Sequence, residues 1–369
     1  MNRRDFIKTS ALLPAAATVA GLPQLAAAAT AAPGDKWRVF EVTTKVGVLK
    51  PAGTTRVWLP LPLDADTDYQ KNLGSTWNVE NGTAAVALDG KYGAEILVFQ
   101  SSETAKIPVV RVTSRFATRD RAVDLSKPGT AGKADRAELQ LALAPTDHIP
   151  TDGIVLDTAR DIIKDVRGGD VEKARAIYEW IVVNTYRDPK TRGCGVGDIK
   201  QMLETRNLGG KCADLNALFV GLARSVGIPA RDLYGVRVAK SNYGYRSLGV
   251  GTDVITRAQH CRAEFYTASH GWVPVDPADV RKVILEEKPD AQLPIGDPQV
   301  QAARARLFGS WEMNWLAFNT AQDIALPNSA YGKIGFLMYP QAETTAGRFD
   351  SYDPDNFRYE MTTQELTAL

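Results

Sequence analysis

Cys212 stands in the run Gly209-Gly210-Lys211-Cys212-Ala213-Asp214-Leu215, directly after a glycine pair and at the start of a helical pattern. Leu215, Leu218, Phe219, Leu222 and Val226 recur at three- and four-residue spacing, and Gly227 with Pro229 supplies the stop. A cysteine in the first turn of a helix lies among unpaired N–H groups at the positive end of the helix dipole, which favours thiolate over thiol. Its own N–H could then help to bind an oxyanion. Taken alone, the position would mark a small core residue, since free cysteine is among the most buried residue types. A second segment changes that reading. Gln259-His260-Cys261-Arg262-Ala263-Glu264-Phe265-Tyr266, then Thr267-Ala268-Ser269-His270, then Gly271-Trp272-Val273-Pro274-Val275-Asp276-Pro277 reads as two strands joined by a tight polar turn. A turn centred on Ala268 pairs Glu264 with Trp272 and His260 with Asp276, each pair with its side chains on one face. Thiolate, imidazole and an acid that fixes the imidazole tautomer make an acyl-transfer triad in the order Cys212, His260, Asp276.

These blocks resemble the transglutaminase-like superfamily of papain-like thiol enzymes. The resemblance is carried by Gly210-Lys211-Cys212-Ala213-Asp214 through Leu218-Phe219 and Gly227-Ile228-Pro229-Ala230-Arg231, by His260 with Glu264, and by Gly271 to Pro277. It spans residues 170–283. It implies Cys212 as nucleophile, His260 as general base and acid, and Asp276 as the partner that orients the histidine. It also implies an upstream second oxyanion donor, for which Tyr186 is the candidate. Many relatives carry an aromatic residue two positions after the histidine, where this chain has Arg262. The implied activity is acyl transfer or hydrolysis at peptide or protein carboxamide or amide bonds, through a thioester. The rival is a catalytically silent peptide- or protein-binding module that keeps the fold.

The elements that must hold these residues fall into distinct regions. Residues 1–31, with Arg3-Arg4, Phe6 and Lys8 ahead of an alanine-rich apolar run, look like a twin-arginine export signal, so a periplasmic or extracellular mature protein is expected. Residues 36–125 carry strand-length runs between Gly, Asn and Pro turns and are expected to form a β-sandwich. A polar connector, 126–150, leads to a core at 151–285, whose stripe Ala174, Ile177, Tyr178, Ile181 and Val182 marks a helix. The extension 286–369 is expected to complete the sheet behind His260 and Asp276, with a separate small β-domain as the alternative. Trp311, Trp315 and Tyr339 are core aromatics or walls of the cleft. The expected fold class is α+β.

Composition closes off other functions. A chain of 369 residues with 44% hydrophobic content can bury a large core, and a formal net charge of +1 without a basic–aromatic stripe argues against nucleic acid. No stretch of the mature region is long and apolar enough to span a bilayer. Three cysteines in an oxidising compartment leave one unpaired if the others bridge; with Cys212 free, Cys194 and Cys261 are the available pair. No metal or cofactor is expected, because no C-x-x-C or H-x-x-x-H pair is present. His148 and His270 read as loop residues.

Overall fold

A computed structural model of the chain describes residues 36–102, 106–127, 129 and 135–366. The export-signal segment, 1–31, lies outside the described residues. The fold is α+β, built mainly of antiparallel sheets with helices grouped between residues 136 and 306 rather than alternating β-α units.

Two sheets make the β-sandwich. One has the order Phe357–Leu366, Arg38–Val48, Val109–Thr118, Gln70–Glu80; the other runs Gly347–Arg348, Gln341–Thr344, Thr55–Pro60, Glu95–Ser101, Thr83–Leu88. Strand Arg38–Val48 shows why: Phe40, Val42, Thr44, Val46 and Val48 are buried at every second position while the residues between them face outward. Val46, Leu59, Phe99, Val110 and Phe357, drawn from both sheets, meet in one apolar cluster.

The second layer holds the chemistry. Its sheet has the order Gly271–Val275, Gln259–Thr267, Ala230–Arg237, Trp315–Asn319, all antiparallel. Helix Cys212–Ser225 packs on the two central strands and is buried from Cys212 through Arg224. A helix apolar on one stripe only would sit at the surface; this one is covered all round, by helices Gly153–Ile163, Asp170–Asn184 and Pro277–Glu286.

The extension after residue 286 divides instead of completing one sheet. Trp315–Asn319 does join the sheet of His260, but Gln341–Thr344 pairs with Thr55–Pro60 and Phe357–Leu366 pairs with Arg38–Val48. The distant partners of these strands were not legible in the sequence, because pairing is a long-range choice that local periodicity does not encode. Among the described residues, no helix is long and apolar enough to cross a membrane.

Candidate active site

Cys212 is the first residue of its helix and 3% exposed. The turn before it is fixed by Asp214, whose carboxylate accepts from Lys211 N, Val196 N and Gly197 N, each at 2.9 Å. That acid binds the glycine-rich loop 193–197 to the helix start, and it explains Gly195. The backbone there has φ +96°, and a Cβ would come within 1.8 Å of Asp214 Oδ2. Ala213 N donates to Cys194 O at 2.9 Å, so the loop also caps the helix. Among the described residues, the Cys212 N–H donates to no group. It is available to an oxyanion.

His260 lies on strand Gln259–Thr267, and Asp276 ends strand Gly271–Val275 and N-caps helix Pro277–Glu286. The register differs by two residues from the one expected: Glu264 faces Pro274 and Tyr266 faces Trp272. The turn is longer than assumed. Residues 268–270 form it, His270 N donates to Thr267 Oγ1 at 3.1 Å, and Gly271 takes the left-handed φ of +70° that closes a three-residue hairpin. An even shift leaves every side chain on its face, so His260 and Asp276 still meet: Nε2 to Oδ2 is 2.7 Å.

A second carboxylate flanks the same nitrogen, with Asp279 Oδ1 3.4 Å from His260 Nε2. Asp279 accepts two hydrogen bonds from Arg237 Nη2, at 2.6 and 2.7 Å, while Nη1 donates to Leu248 O at 2.6 Å. The two acids therefore separate. Burial works against ionisation of Asp279, but Arg237 outweighs it and holds the carboxyl well below the usual range. Burial, with the neighbouring Asp279 charge, pushes Asp276 up. For His260, burial and Arg237 act downward, and the two carboxylates overcome them, so its pKa is raised.

Asn216, one turn into the cysteine helix, donates to Cys261 O at 2.9 Å and to Asp276 Oδ1 at 3.3 Å. It ties nucleophile helix, histidine strand and acid into one assembly. Arg262 lies 3.8 Å from Asp276 Oδ2 through its Nε and 4.8 Å from the Trp315 ring centroid. Burial, reinforced by Arg237, pushes its pKa down to about 10. His260, Asp276 and Asp279 bring ligand-type atoms within 4.8 Å of one another. Arg237 and Arg262 already answer the charge of these acids, so the donor set is a poor fit for a dication.

Cys212 and His260 line one cavity of about 650 Å³. His260 Nε2 is engaged by Asp276, which leaves Nδ1 for the thiol; among the described residues no hydrogen bond links Cys212 to the ring. Tyr186 is 46% exposed, its hydroxyl donates to Asn207 Oδ1 at 2.8 Å, and it does not line the cavity. The structure does not bring this oxyanion candidate to Cys212. Cys194 and Cys261 are free thiols, not a bridged pair. Cys194 Sγ donates to Gln259 O at 3.3 Å, and Cys261 Sγ contacts Met338 Sδ at 3.8 Å. Glu264 is buried between Arg121 and Arg231, at 2.5 and 2.6 Å, away from the cavity. Of the late aromatics, Tyr339 lines the cavity, whereas Trp311 and Trp315 are core beneath Arg262.

Sequence reading missed Arg237, Asn216 and Lys282, which line the cavity or hold Asp276 and Asp279. The one local signal was Asn216, a polar residue four positions after Cys212 and so on the same face of its helix; the others come from separate elements with no motif.

The structure thus sets a cysteine at a helix start, a histidine on an antiparallel strand packed against that helix, and an acid just past the next strand, in an α+β fold. The chain belongs to the transglutaminase-like superfamily, whose sequence profile matches residues 157–277. An uncharacterized protein of Haemophilus influenzae is 36% identical over 350 residues, covering 89% of this chain and 92% of that one. The crystal structure of a Cytophaga hutchinsonii protein described as a “putative cysteine protease” superposes with a TM-score of 0.50 at 16% identity, covering 89% of this chain and 98% of the other. That likeness concerns the fold.

Proposed function

We propose that the protein is an exported, cysteine-dependent enzyme that transfers or hydrolyses acyl groups of peptide or protein amides. Cys212 gives its proton to His260 Nδ1 and attacks the carbonyl carbon, and the oxyanion rests on the Cys212 N–H. The imidazolium, steadied by Asp276, protonates the leaving amine as the C–N bond breaks and a thioester remains. Water or an amine then takes the acyl group, returning its proton through His260 to sulfur.

The observation that carries this reading is the 2.7 Å contact between His260 Nε2 and Asp276 Oδ2 in a cavity shared with Cys212. The lack of a Cys212–His260 hydrogen bond is what a silent binding module would share. Iodoacetamide labelling across pH, with peptide mapping, separates the two. Fast labelling of Cys212 well below the ordinary thiol pKa of about 8.5, slowed in His260→Ala, is expected of the enzyme. An ordinary thiol profile, unchanged in His260→Ala, would overturn it.

A further inference from the structure

The wall of the cavity carries six basic side chains, Arg187, Arg192, Lys211, Arg237, Arg257 and Lys282, and among the described residues no acidic one. In a chain with 44 basic and 43 acidic residues, such sorting is local. Three of the six are answered by acids that stay off the cavity wall: Arg237 by Asp279 at 2.6 Å, Arg192 by Asp350 at 2.5 Å, and Arg187 by Glu286. The other three are answered loosely or not at all. Lys282 Nζ comes no nearer than 3.8 Å to Glu286, which Arg187 already engages, and Lys211 and Arg257 enter no ion pair among the described residues.

Lys282 is the telling member, because its side chain is only 18% exposed. Burial, and then the neighbouring positive charge of Arg237, lowers its pKa to about 8. A confined ammonium beside guanidiniums costs stability unless an anion joins it. Lys211 immediately precedes the thiol in sequence, and Lys282 follows Asp276 on the same helix. An anion held between them would therefore lie beside the attacked bond.

We infer that the cavity selects substrates that carry a carboxylate next to the amide under attack, gripped by Lys282 and Lys211. This rests on the reading of Cys212 as a nucleophile. The carboxylate can be an acidic side chain or a chain terminus, since both offer the same two oxygens to an ammonium.

The experiment compares iodoacetate with iodoacetamide, reagents alike in size that differ in charge, on the intact protein with peptide mapping of Cys212. The expected iodoacetate-to-iodoacetamide rate ratio exceeds that of N-acetylcysteinamide at low salt. It falls about fivefold in Lys282→Met and in Lys211→Met, and shrinks as salt is raised. Lys211→Met serves where Lys282→Met does not fold. A ratio equal to that of the small thiol, or unchanged in the folded variants, overturns the inference. Slow labelling by both reagents with an ordinary thiol pH profile instead fails the nucleophile reading, so the two failures are distinct. Protection of Cys212 by N-acetylalanine assigns a terminal carboxylate, and stronger protection by N-acetylglutamic acid α-amide a side-chain one. Equal protection by neutral N-acetylalaninamide counts against both.

Discussion

Replacing Asp276 with Asn tests whether the 2.7 Å contact sets the chemistry of the site. The buried charge-assisted hydrogen bond to His260 stabilises the imidazolium that accompanies a Cys212 thiolate. A hydrogen bond to a charged group is worth about 1.5–3 kcal/mol, against roughly half that for a neutral pair. Asp279 remains 3.4 Å from the same nitrogen and retains part of the field. A net loss of about 0.7–1.5 kcal/mol corresponds to about half to one pKa unit, so labelling of Cys212 by iodoacetamide near pH 6 should slow about 3- to 10-fold. Folding should survive, because Asn is as good an N-cap as Asp and can still accept from Asp279 N, now 3.0 Å from Asp276 Oδ1. The assay is the second-order labelling rate against pH, with thermal unfolding in parallel. If Asp276→Asn labels at the wild-type rate while folded, the histidine is not oriented by this acid and the reasoning fails.

Asp279→Asn should show the reverse emphasis, because it strands the buried Arg237 guanidinium; a loss of about 3–5 kcal/mol in chemical denaturation is expected, and a loss below 1 kcal/mol would contradict the pairing. Gly195→Ala should prevent ordering of the loop that Asp214 secures, lowering soluble yield or Tm sharply; a wild-type Tm would mean the loop tolerates a side chain there. Asp232 is buried, one of its oxygens is unpartnered, and burial, only partly offset by Arg224, pushes its pKa up to about 7. The folded carboxyl thus keeps its proton to a higher pH than the unfolded one, so its contribution is full below about pH 4 and lost as pH rises through about 7. Asp232→Asn should therefore narrow the drop in stability between pH 5 and pH 8 by about 2 kcal/mol, read as denaturation midpoints at the two pH values. Lys282 has its pKa lowered to about 8, so its charged form penalises the fold below that pH; Lys282→Met should raise the unfolding free energy at pH 7 by about 1 kcal/mol, read by chemical denaturation, and a fall would show that the ammonium is paired.

What could be read from the sequence was local chemistry. The cysteine helix announced itself through apolar spacing and a Gly-Pro stop, and the histidine hairpin through two β-rich runs around a polar turn. The register was misjudged by two residues because Gly271 adopts φ +70° and lengthens the turn, a detail of backbone geometry that composition does not fix. The partnership of Arg237 with Asp279 joins two elements 42 positions apart and carries no motif. Tyr186 failed as an oxyanion donor because its hydroxyl turns outward to Asn207, a direction that strand periodicity cannot specify. The acid-free cavity wall escaped notice for a related reason: its cations come from separate loops, strands and helices whose net charge cancels along the chain.

The pairing of Arg38–Val48 with Phe357–Leu366 bears on how the molecule comes into being. The two strands are joined in one antiparallel register, with Val39 opposite Leu366 and Val48 opposite Phe357, and Phe357 and Tyr359 also form part of the cavity wall. During synthesis the first sandwich strand can pair early with Val109–Thr118, but its other edge must wait for a partner made some three hundred residues later. The cavity around Cys212 stays unwalled until then. Contacts of such span slow folding, and they make the last step of assembly also the step that encloses the thiol. A nascent chain would thus carry an unsheltered cysteine helix and acquire its enclosed site only once this strand has docked.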